Sequence, residues 1–224
     1  MGNGIIDRML DTVDGEAAAA MVVEDILSDC GEGSLIAMQY AGEQGFVDPE
    51  DYDPHGEEGF DPDFLDFVRW MAADRIREEM GRIGSECVVD AGAIVLWREL
   101  VVDEHWIDGP FRERPIGVCW SWDRSYAKAH HGVDAGKPGR VRALVKGLCE
   151  PEDVDWTTTV ALNAAAPYTV GDEKEIRLLP GRAIEIETIL MHEGRIAEVS
   201  PRREVHWPGR LLTAEPVPDF SPAP

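Results

Sequence analysis

The chemistry that this chain could perform centres on an arginine, a serine and a pair of glutamates in its second half. Arg98 follows an apolar run, so its guanidinium needs an anionic partner, and a diphosphate would satisfy it bidentately. Glu173 and Glu175 are two residues apart, a spacing at which strand side chains share a face. One such carboxylate could stabilise a developing positive charge while the other accepts a proton from a nucleophile. The hydroxyl of Ser121 could orient the reacting groups.

A purely structural role is open for each of these residues. Arg98 could form a salt bridge with Asp123 or Glu175, and a buried Ser121 could satisfy backbone groups. The two glutamates could, together with Arg177, form a solvated stripe on an exposed strand. The order of the residues and the segments around them are needed to choose between these interpretations.

Three segments, in chain order, resemble the three-part signature of ADP-ribosyltransferases of the Arg-Ser-Glu type. This group includes bacterial arginine-modifying toxins, phage transferases and vertebrate ecto-enzymes. The segments are residues 94–98 (IVLWR), residues 119–129 (CWSWDRSYAKA) and residues 171–181 (GDEKEIRLLPG). The key residues Arg98, Ser121 and Glu175 are 23 and 54 positions apart. The resemblance covers about residues 88–199 and does not extend to the acidic first half.

The resemblance implies a mono-ADP-ribosyltransferase, which cleaves NAD at the nicotinamide-ribose bond and passes ADP-ribose to an acceptor. Arg98 would then hold phosphate, and Ser121 would orient the substrate. Glu175 would bind the ribose 2′-hydroxyl and stabilise the ribosyl cation, and Glu173 would activate the acceptor. A glutamate at the first position of the pair accompanies arginine acceptors in the family. A protein arginine is therefore the implied acceptor, while a nucleic-acid base or a small molecule stays open.

The second motif departs from the family pattern, which has Ser-Thr-Ser or a close variant where this chain has Trp120-Ser121-Trp122. The family's key serine is often the first of its triplet, whereas Ser121 is the central residue here. Aromatic side chains crowd the motifs, and the flat rings of NAD could stack on Trp97, Trp122 or Tyr126. Packing in the core is the alternative for each of these rings.

Two other functions stay open at the level of sequence. With water as the acceptor, the same residues would make the protein an NAD glycohydrolase. Without catalysis, the chain could be an acidic interaction protein, such as a DNA mimic or an inhibitor that covers a basic partner.

Charge is distributed unevenly along the chain. The net charge is -23, and residues 9–68 contain 17 acids and no Lys or Arg. This charge opposes general attraction to nucleic acid or to an anionic membrane. The acidic half could bind a basic partner, or it could serve solubility in a salty habitat. Residues 112–146 hold eight Lys or Arg and three acids, and they could accept a phosphate-bearing ligand or pair with the acidic half.

Short runs rich in Val, Ile and Leu begin at residue 88 and indicate strands. The predicted strands are 94–97, 141–145, 176–179, 184–191 and 196–199, and the one clear helix among them is 125–131. These elements predict an α+β fold with a mainly antiparallel sheet. The resemblance implies an ADP-ribosyltransferase-like split sheet, with NAD in a cleft between two small sheets. This catalytic domain would span residues 87–212 and be followed by a proline-rich tail, 213–224.

The region before it, residues 1–86, is predicted to be helical and acidic. Helices are expected at 5–27 and 34–44, followed by a loop at 45–62. A further packing helix begins near residue 64, capped by Asp61 or Asp63, and ends at Gly81 or Gly84. The loop is similar to a calcium site, but Pro62 occupies the position where a bidentate glutamate is needed. No trio of His, Cys and carboxylate stands at zinc spacing, so we predict a site without metal.

The cysteines and the N-terminus indicate the compartment. Cys30, Cys87, Cys119 and Cys149 form no C-x-x-C pair, which favours reduced thiols. No apolar run near the N-terminus has the length of a signal peptide or of a membrane span. The sequence thus predicts a cytoplasmic protein without a membrane partner, either in its own cell or delivered into a target cell.

Overall fold

The computed structural model describes residues 4–28, 42, 62–103, 119–129, 140–168, 174–191, 196–197 and 203–206. Its principal helices are α1 (Gly4–Leu10), α2 (Gly15–Ser28), α3 (Pro62–Glu86), α4 (Arg124–Ala129) and α5 (Trp156–Ala165). Its strands are β1 (Val89–Asp90), β2 (Ala93–Asp103), β3 (Cys119–Ser121), β4 (Arg140–Cys149), β5 (Glu175–Arg177), β6 (Ala183–Met191), β7 (Ile196–Ala197) and β8 (Arg203–His206). Helices and an antiparallel sheet occur together, so the predicted α+β class is confirmed.

The described strands form one sheet in the order β5-β3-β2-β4-β6-β7, with β1 paired to β2 and β8 paired to β6. The pairing of β2 with β4 is continuous from Ile94 opposite Cys149 to Asp103 opposite Arg140. By contrast, among the described residues β2 and β3 are joined by the single pair Trp97 and Ser121. Hydrogen bonding therefore makes one sheet where two small ones are expected, but this sheet is nearly divided between β2 and β3.

Helices and sheet share one cluster of buried side chains. On α3 the apolar residues Phe64, Phe67, Val68 and Met71 follow helical spacing and are buried. They belong to the same cluster as residues of the sheet such as Trp120. In addition, α5 packs against α2, α3 and β5. The sheet edge that carries β5 is therefore covered by helices.

The predicted helix 5–27 is wrong as a single element, because the chain turns between α1 and α2. Thr12 donates its hydroxyl to the carbonyl of Met9, 2.6 Å away. A carboxylate oxygen of Asp14 then accepts from the backbone N–H of Ala17 at 3.0 Å. This is the bond that an N-cap residue makes to the third residue of a helix, so Asp14 starts a second helix.

The predicted end of α3 at Gly81 or Gly84 is also wrong, since the helix continues to Glu86. Gly84 has a packing role instead. A Cβ at this position would lie 3.2 Å from Asp7 and 3.5 Å from Leu10. The missing side chain thus lets α1 approach α3, a tertiary reason that helix propensity does not reveal.

The expectation of a single helix among the strands missed α5. Its three consecutive threonines are unfavourable in helices because branching at Cβ restricts their side chains. The cap residue Asp155 compensates, since its carboxylate accepts from the Thr158 backbone N–H at 3.0 Å and from the Thr158 hydroxyl at 2.7 Å. Burial of Trp156, Val160 and Ala164 then provides the packing energy.

Several predictions fall on residues outside the described ranges. These are most of helix 34–44, most of loop 45–62, most of the basic stretch before residue 140, and the tail 213–224. Within the described ranges, no helix is both long and apolar enough to cross a membrane. Among the described residues, Cys87, Cys119 and Cys149 are not joined by disulfides.

Candidate active site

The three strands that carry the sequence motifs are neighbours at one end of the sheet, in the order β5, β3, β2. Ser121 lies directly opposite Trp97 of β2 and directly opposite Glu175 of β5. Residues that are opposite each other in antiparallel strands point to the same face. Trp97, Ser121 and Glu175 therefore form a row across three strands.

The hydrogen bonds beside this row define how Ser121 meets Glu175. The backbone N–H of Trp122 donates to the carbonyl of Lys174 at 3.2 Å. Because this bond joins the residues next to Ser121 and Glu175, Ser121 and Glu175 themselves form a non-hydrogen-bonded pair. In such a pair the two Cα atoms are about 4.5 Å apart and the side chains are closest. The N–H and C=O of Glu175 point the other way, where both are bonded to the side chain of Asn163.

Arg98 follows Trp97 at the point where β2 and β3 cease to pair. Its guanidinium donates from Nη1 to the backbone carbonyl of Cys119, across the gap between the strands. Burial lowers the pKa of Arg98, and the negative charge of Glu175 acts in the opposite direction. The guanidinium and the Glu175 carboxylate thus interact electrostatically, although no salt bridge between them is seen among the described residues. The suggested partner Asp123 pairs with Lys174 instead.

The Glu175 carboxylate is partly buried, with 19% of its side chain exposed. Its Oε1 atom is buried without a hydrogen bond within the described part of the chain, and Arg177 Nη1 is 3.7 Å away. The same Arg177 nitrogen donates to the sulfur of Cys119. Burial, followed by the hydrogen bond and charge of Glu175, raises the pKa of Cys119 to about 11. Cys119 is therefore a neutral thiol beside the carboxylate at neutral pH.

Lys174 separates the two glutamates of the third motif and has a left-handed backbone with φ 49°. Its ammonium lies 2.9 Å from Glu86 Oε2 and 3.2 Å from Asp123 Oδ2. Strand β5 begins only at Glu175, so strand alternation does not extend back across Lys174. The strand assignment therefore does not support the shared face of Glu173 and Glu175, which stays a prediction. Glu173 itself lies outside the described residues.

The aromatic residues of the motifs differ in accessibility. Trp122 is 5% exposed, donates its ring N–H to Glu86 at 3.2 Å, and has the Arg82 guanidinium 5.4 Å from its ring centre. It packs in the core, which was the alternative left open for this ring. Tyr126 is 38% exposed, and Trp97 is half-buried with the Arg124 guanidinium 5.3 Å from its ring centre. Trp97 and Tyr126 are therefore the more accessible rings.

Sequence reasoning assigned no role at the site to three residues that contact it. Cys119 and Arg177 are each two positions from a motif residue, Ser121 and Glu175 respectively, so strand alternation could have identified them. Asn163 contacts Glu175 from α5, a helix that the sequence analysis did not predict. No signal in its local sequence connects it with the third motif.

The arrangement brings together a guanidinium, a hydroxyl and a partly buried carboxylate. Such a set can bind an anionic group at the gap between β2 and β3 and can stabilise positive charge beside Glu175. The described residues contain no group of three or more His, Cys, Asp or Glu side chains that could hold a metal ion. Comparison of the chain with protein-family models, with curated proteins and with solved structures finds no match.

Proposed function

We propose that this protein is a mono-ADP-ribosyltransferase that cleaves the nicotinamide-ribose bond of NAD and transfers ADP-ribose to an acceptor. The observation that carries the proposal is the meeting of the three motifs on neighbouring strands. Ser121 faces Glu175, and Arg98 lies where the sheet is nearly divided. These residues are up to 77 positions apart in the chain, so their meeting is a tertiary property that the sequence resemblance did not guarantee.

The division of the sheet supports a binding site for a dinucleotide. A gap between β2 and β3 is what the split sheet of the resembled family requires. Arg98 uses one N–H on the Cys119 carbonyl, and a guanidinium has five N–H donors in all. The remaining donors suit a diphosphate. Arg124 beside Trp97 adds a second cation near the same row.

Glu175 supplies the electrostatic part of the reaction. When the glycosidic bond breaks, its electron pair leaves with nicotinamide, and positive charge develops on the ribose ring. A carboxylate held beside the ring stabilises that charge. Within the part of the chain that the structure describes, the Oε1 atom has no hydrogen bond. The ribose 2′-hydroxyl would provide one once the half-exposed Arg177 side chain swings aside. The acceptor then bonds to the sugar and releases a proton, for which Glu173 is the proposed base.

The test is NAD turnover by the Glu175→Gln variant, with labelled NAD and mass analysis of the products. We expect a loss of at least about a hundredfold, the size seen when one group that stabilises a transition state is removed. The matched control is Glu150→Gln, which makes the same change at an exposed position and retains the wild-type rate. Wild-type turnover by folded Glu175→Gln protein would overturn the proposal.

The same assay identifies the acceptor. Label on arginine side chains of an added protein supports the arginine transferase that Glu173 suggests. Label found in free ADP-ribose alone would instead assign the protein as an NAD glycohydrolase. Label on a nucleic-acid base would keep the transferase and replace its acceptor.

A further inference from the structure

The outer side of β5 is closed by α5 and its cap residue Asp155, where another strand would normally pair. An edge strand leaves backbone N–H and C=O groups that need partners. Here Asp155, Thr159 and Asn163 follow one another at four-residue intervals, which places them on one face of the helix. Arg177 donates its N–H to the Thr159 hydroxyl at 2.9 Å and accepts from the Asp155 N–H at 2.8 Å. The helix and its cap thereby provide hydrogen-bond partners for both backbone polar groups at the end of β5.

Asn163 provides hydrogen-bond partners for the backbone at the start of β5, at Glu175. The Glu175 N–H donates to Asn163 Oδ1 at 3.0 Å, and Asn163 Nδ2 donates to the Glu175 carbonyl at 2.7 Å. The second N–H of Nδ2 bonds the Thr159 carbonyl at 2.7 Å. Asn163 is 2% exposed, so water does not compete for these bonds. Its side chain is thus fixed at three points.

Glu175 depends on this contact more than a residue in the middle of a strand would. It is the first residue of β5, and Lys174 before it has a left-handed backbone. On the β3 side, Ser121 and Glu175 exchange no backbone hydrogen bond with each other, because they form a non-hydrogen-bonded pair. Both backbone polar groups of Glu175 are therefore held by the one side chain of Asn163.

We propose that Asn163 is a positioning residue, which holds the backbone of Glu175 so that its carboxylate stays aligned with Ser121 and with the ribose of bound NAD. This role rests on the function proposed above. Misplacement of a catalytic group by about 1 Å costs on the order of a hundredfold in rate. Loss of the Asn163 bonds should thus appear in kcat, while NAD binding through Arg98 continues.

The experiment compares Asn163→Leu with Thr159→Val in the full chain. Both changes remove a buried polar side chain of α5 that bonds β5, but only the first touches Glu175. For Asn163→Leu we expect kcat for NAD to fall by about tenfold or more and KM to stay within about threefold. Thr159→Val should keep kcat within about twofold at a similar loss of thermal stability.

Amide hydrogen exchange, followed residue by residue by NMR, tests the geometry without relying on activity. Asn163→Leu should speed exchange at the Glu175 amide, and Thr159→Val should speed exchange at the Arg177 amide. If Asn163→Leu does not fold, Asn163→Asp is used. Asp keeps an acceptor for the Glu175 N–H and loses the donor for the Glu175 carbonyl. Its kcat for NAD should therefore be reduced as in Asn163→Leu.

The experiments distinguish failure of the positioning role of Asn163 from failure of the proposed transferase function. Equal losses of kcat in Asn163→Leu and Thr159→Val, or an unchanged Glu175 amide in Asn163→Leu, would overturn the role of Asn163 and leave the transferase intact. A wild-type protein that does not turn over NAD would overturn the transferase and the positioning role together.

Discussion

The ammonium of Lys174 lies 2.9 Å from the carboxylate of Glu86, so the residue before β5 is tied to the last residue of α3. The same ammonium reaches Asp123, which is part of the second motif. One side chain thereby connects the packing helix, the serine motif and the glutamate motif. The side chain of Lys174 thus stabilises the fold through its ion pairs, while its left-handed backbone is an unfavourable conformation for a residue other than glycine.

These two properties of Lys174 can be separated by substitution. Both Lys174→Ala and Lys174→Gly remove the ion pairs, but only glycine adopts a φ of 49° without strain. We expect Lys174→Gly to be more stable than Lys174→Ala by about 1 kcal/mol. Urea unfolding of the two variants measures the difference. Equal midpoints would show that this backbone conformation costs nothing.

The Lys174 ion pairs should make stability depend on pH in acid. Burial raises the pKa of Glu86, but hydrogen bonds from Lys174 and Trp122 outweigh it and hold this pKa below the ordinary 4.5. Burial likewise raises the pKa of Asp123, but hydrogen bonds from Ser125 and Lys174 hold it below the ordinary 3.8. A carboxylate with a lowered folded pKa adds stability above its unfolded pKa and loses it as pH falls through the folded value.

The wild type should therefore exceed Lys174→Ala in melting temperature near neutral pH, and the excess should shrink below about pH 4. Against the effect of burial, the hydrogen bonds of Lys174 with Glu86 and Asp123 raise its own pKa above 10.5. The stability that the Lys174 ammonium provides is consequently present below pH 10.5 and is lost only in stronger alkali. Melting curves of both proteins from pH 3 to pH 8, a range chosen to span the acid transition, test this. A difference that does not vary with pH would contradict it.

Cys119 should react slowly with alkylating reagents at neutral pH, although it lies beside the candidate site. Only the thiolate is a nucleophile, and the pKa of this thiol is raised to about 11. The alkylation rate should rise about tenfold for each pH unit between 7 and 10. The unfolded chain serves as the control, because its cysteines titrate near 8.5. Mass spectrometry of trapped Cys119 peptides gives the rate, and a plateau below pH 9 would contradict the expectation.

Two glycines should respond to alanine in opposite directions. A Cβ at Gly147 would lie 2.6 Å from Ile184 Cδ1 and 3.3 Å from the Trp120 ring. Gly147→Ala should therefore lose about 1–3 kcal/mol by overpacking beside the second motif. At Gly81 in α3, no described residue beyond the adjacent helix backbone lies within 4 Å of the added Cβ. Gly81→Ala should therefore gain about 0.5–1 kcal/mol of helix propensity. Unfolding midpoints of the two variants and the wild type measure both effects, and a stabilised Gly147→Ala would contradict this packing.

Local sequence patterns were informative for elements that their own residues stabilise. Apolar β-branched runs indicated β2, β4 and β6, and helical spacing from Phe64 onward indicated α3. They failed where a distant contact decides the conformation. Examples are Gly84, which packs on α1 rather than ending a helix, and the threonine-rich α5, whose formation depends on a cap and on burial.

The sequence by itself determined which residue types are present for chemistry, their order along the chain and the α+β character of the fold. Only the tertiary structure decided that Ser121 stands opposite Glu175, that Arg98 bridges the gap to Cys119, and that Asn163 holds Glu175 in place. Propensity and periodicity act over a few neighbouring residues. Strand register and the contacts of a buried amide, in contrast, are set by packing between segments that lie far apart in the chain.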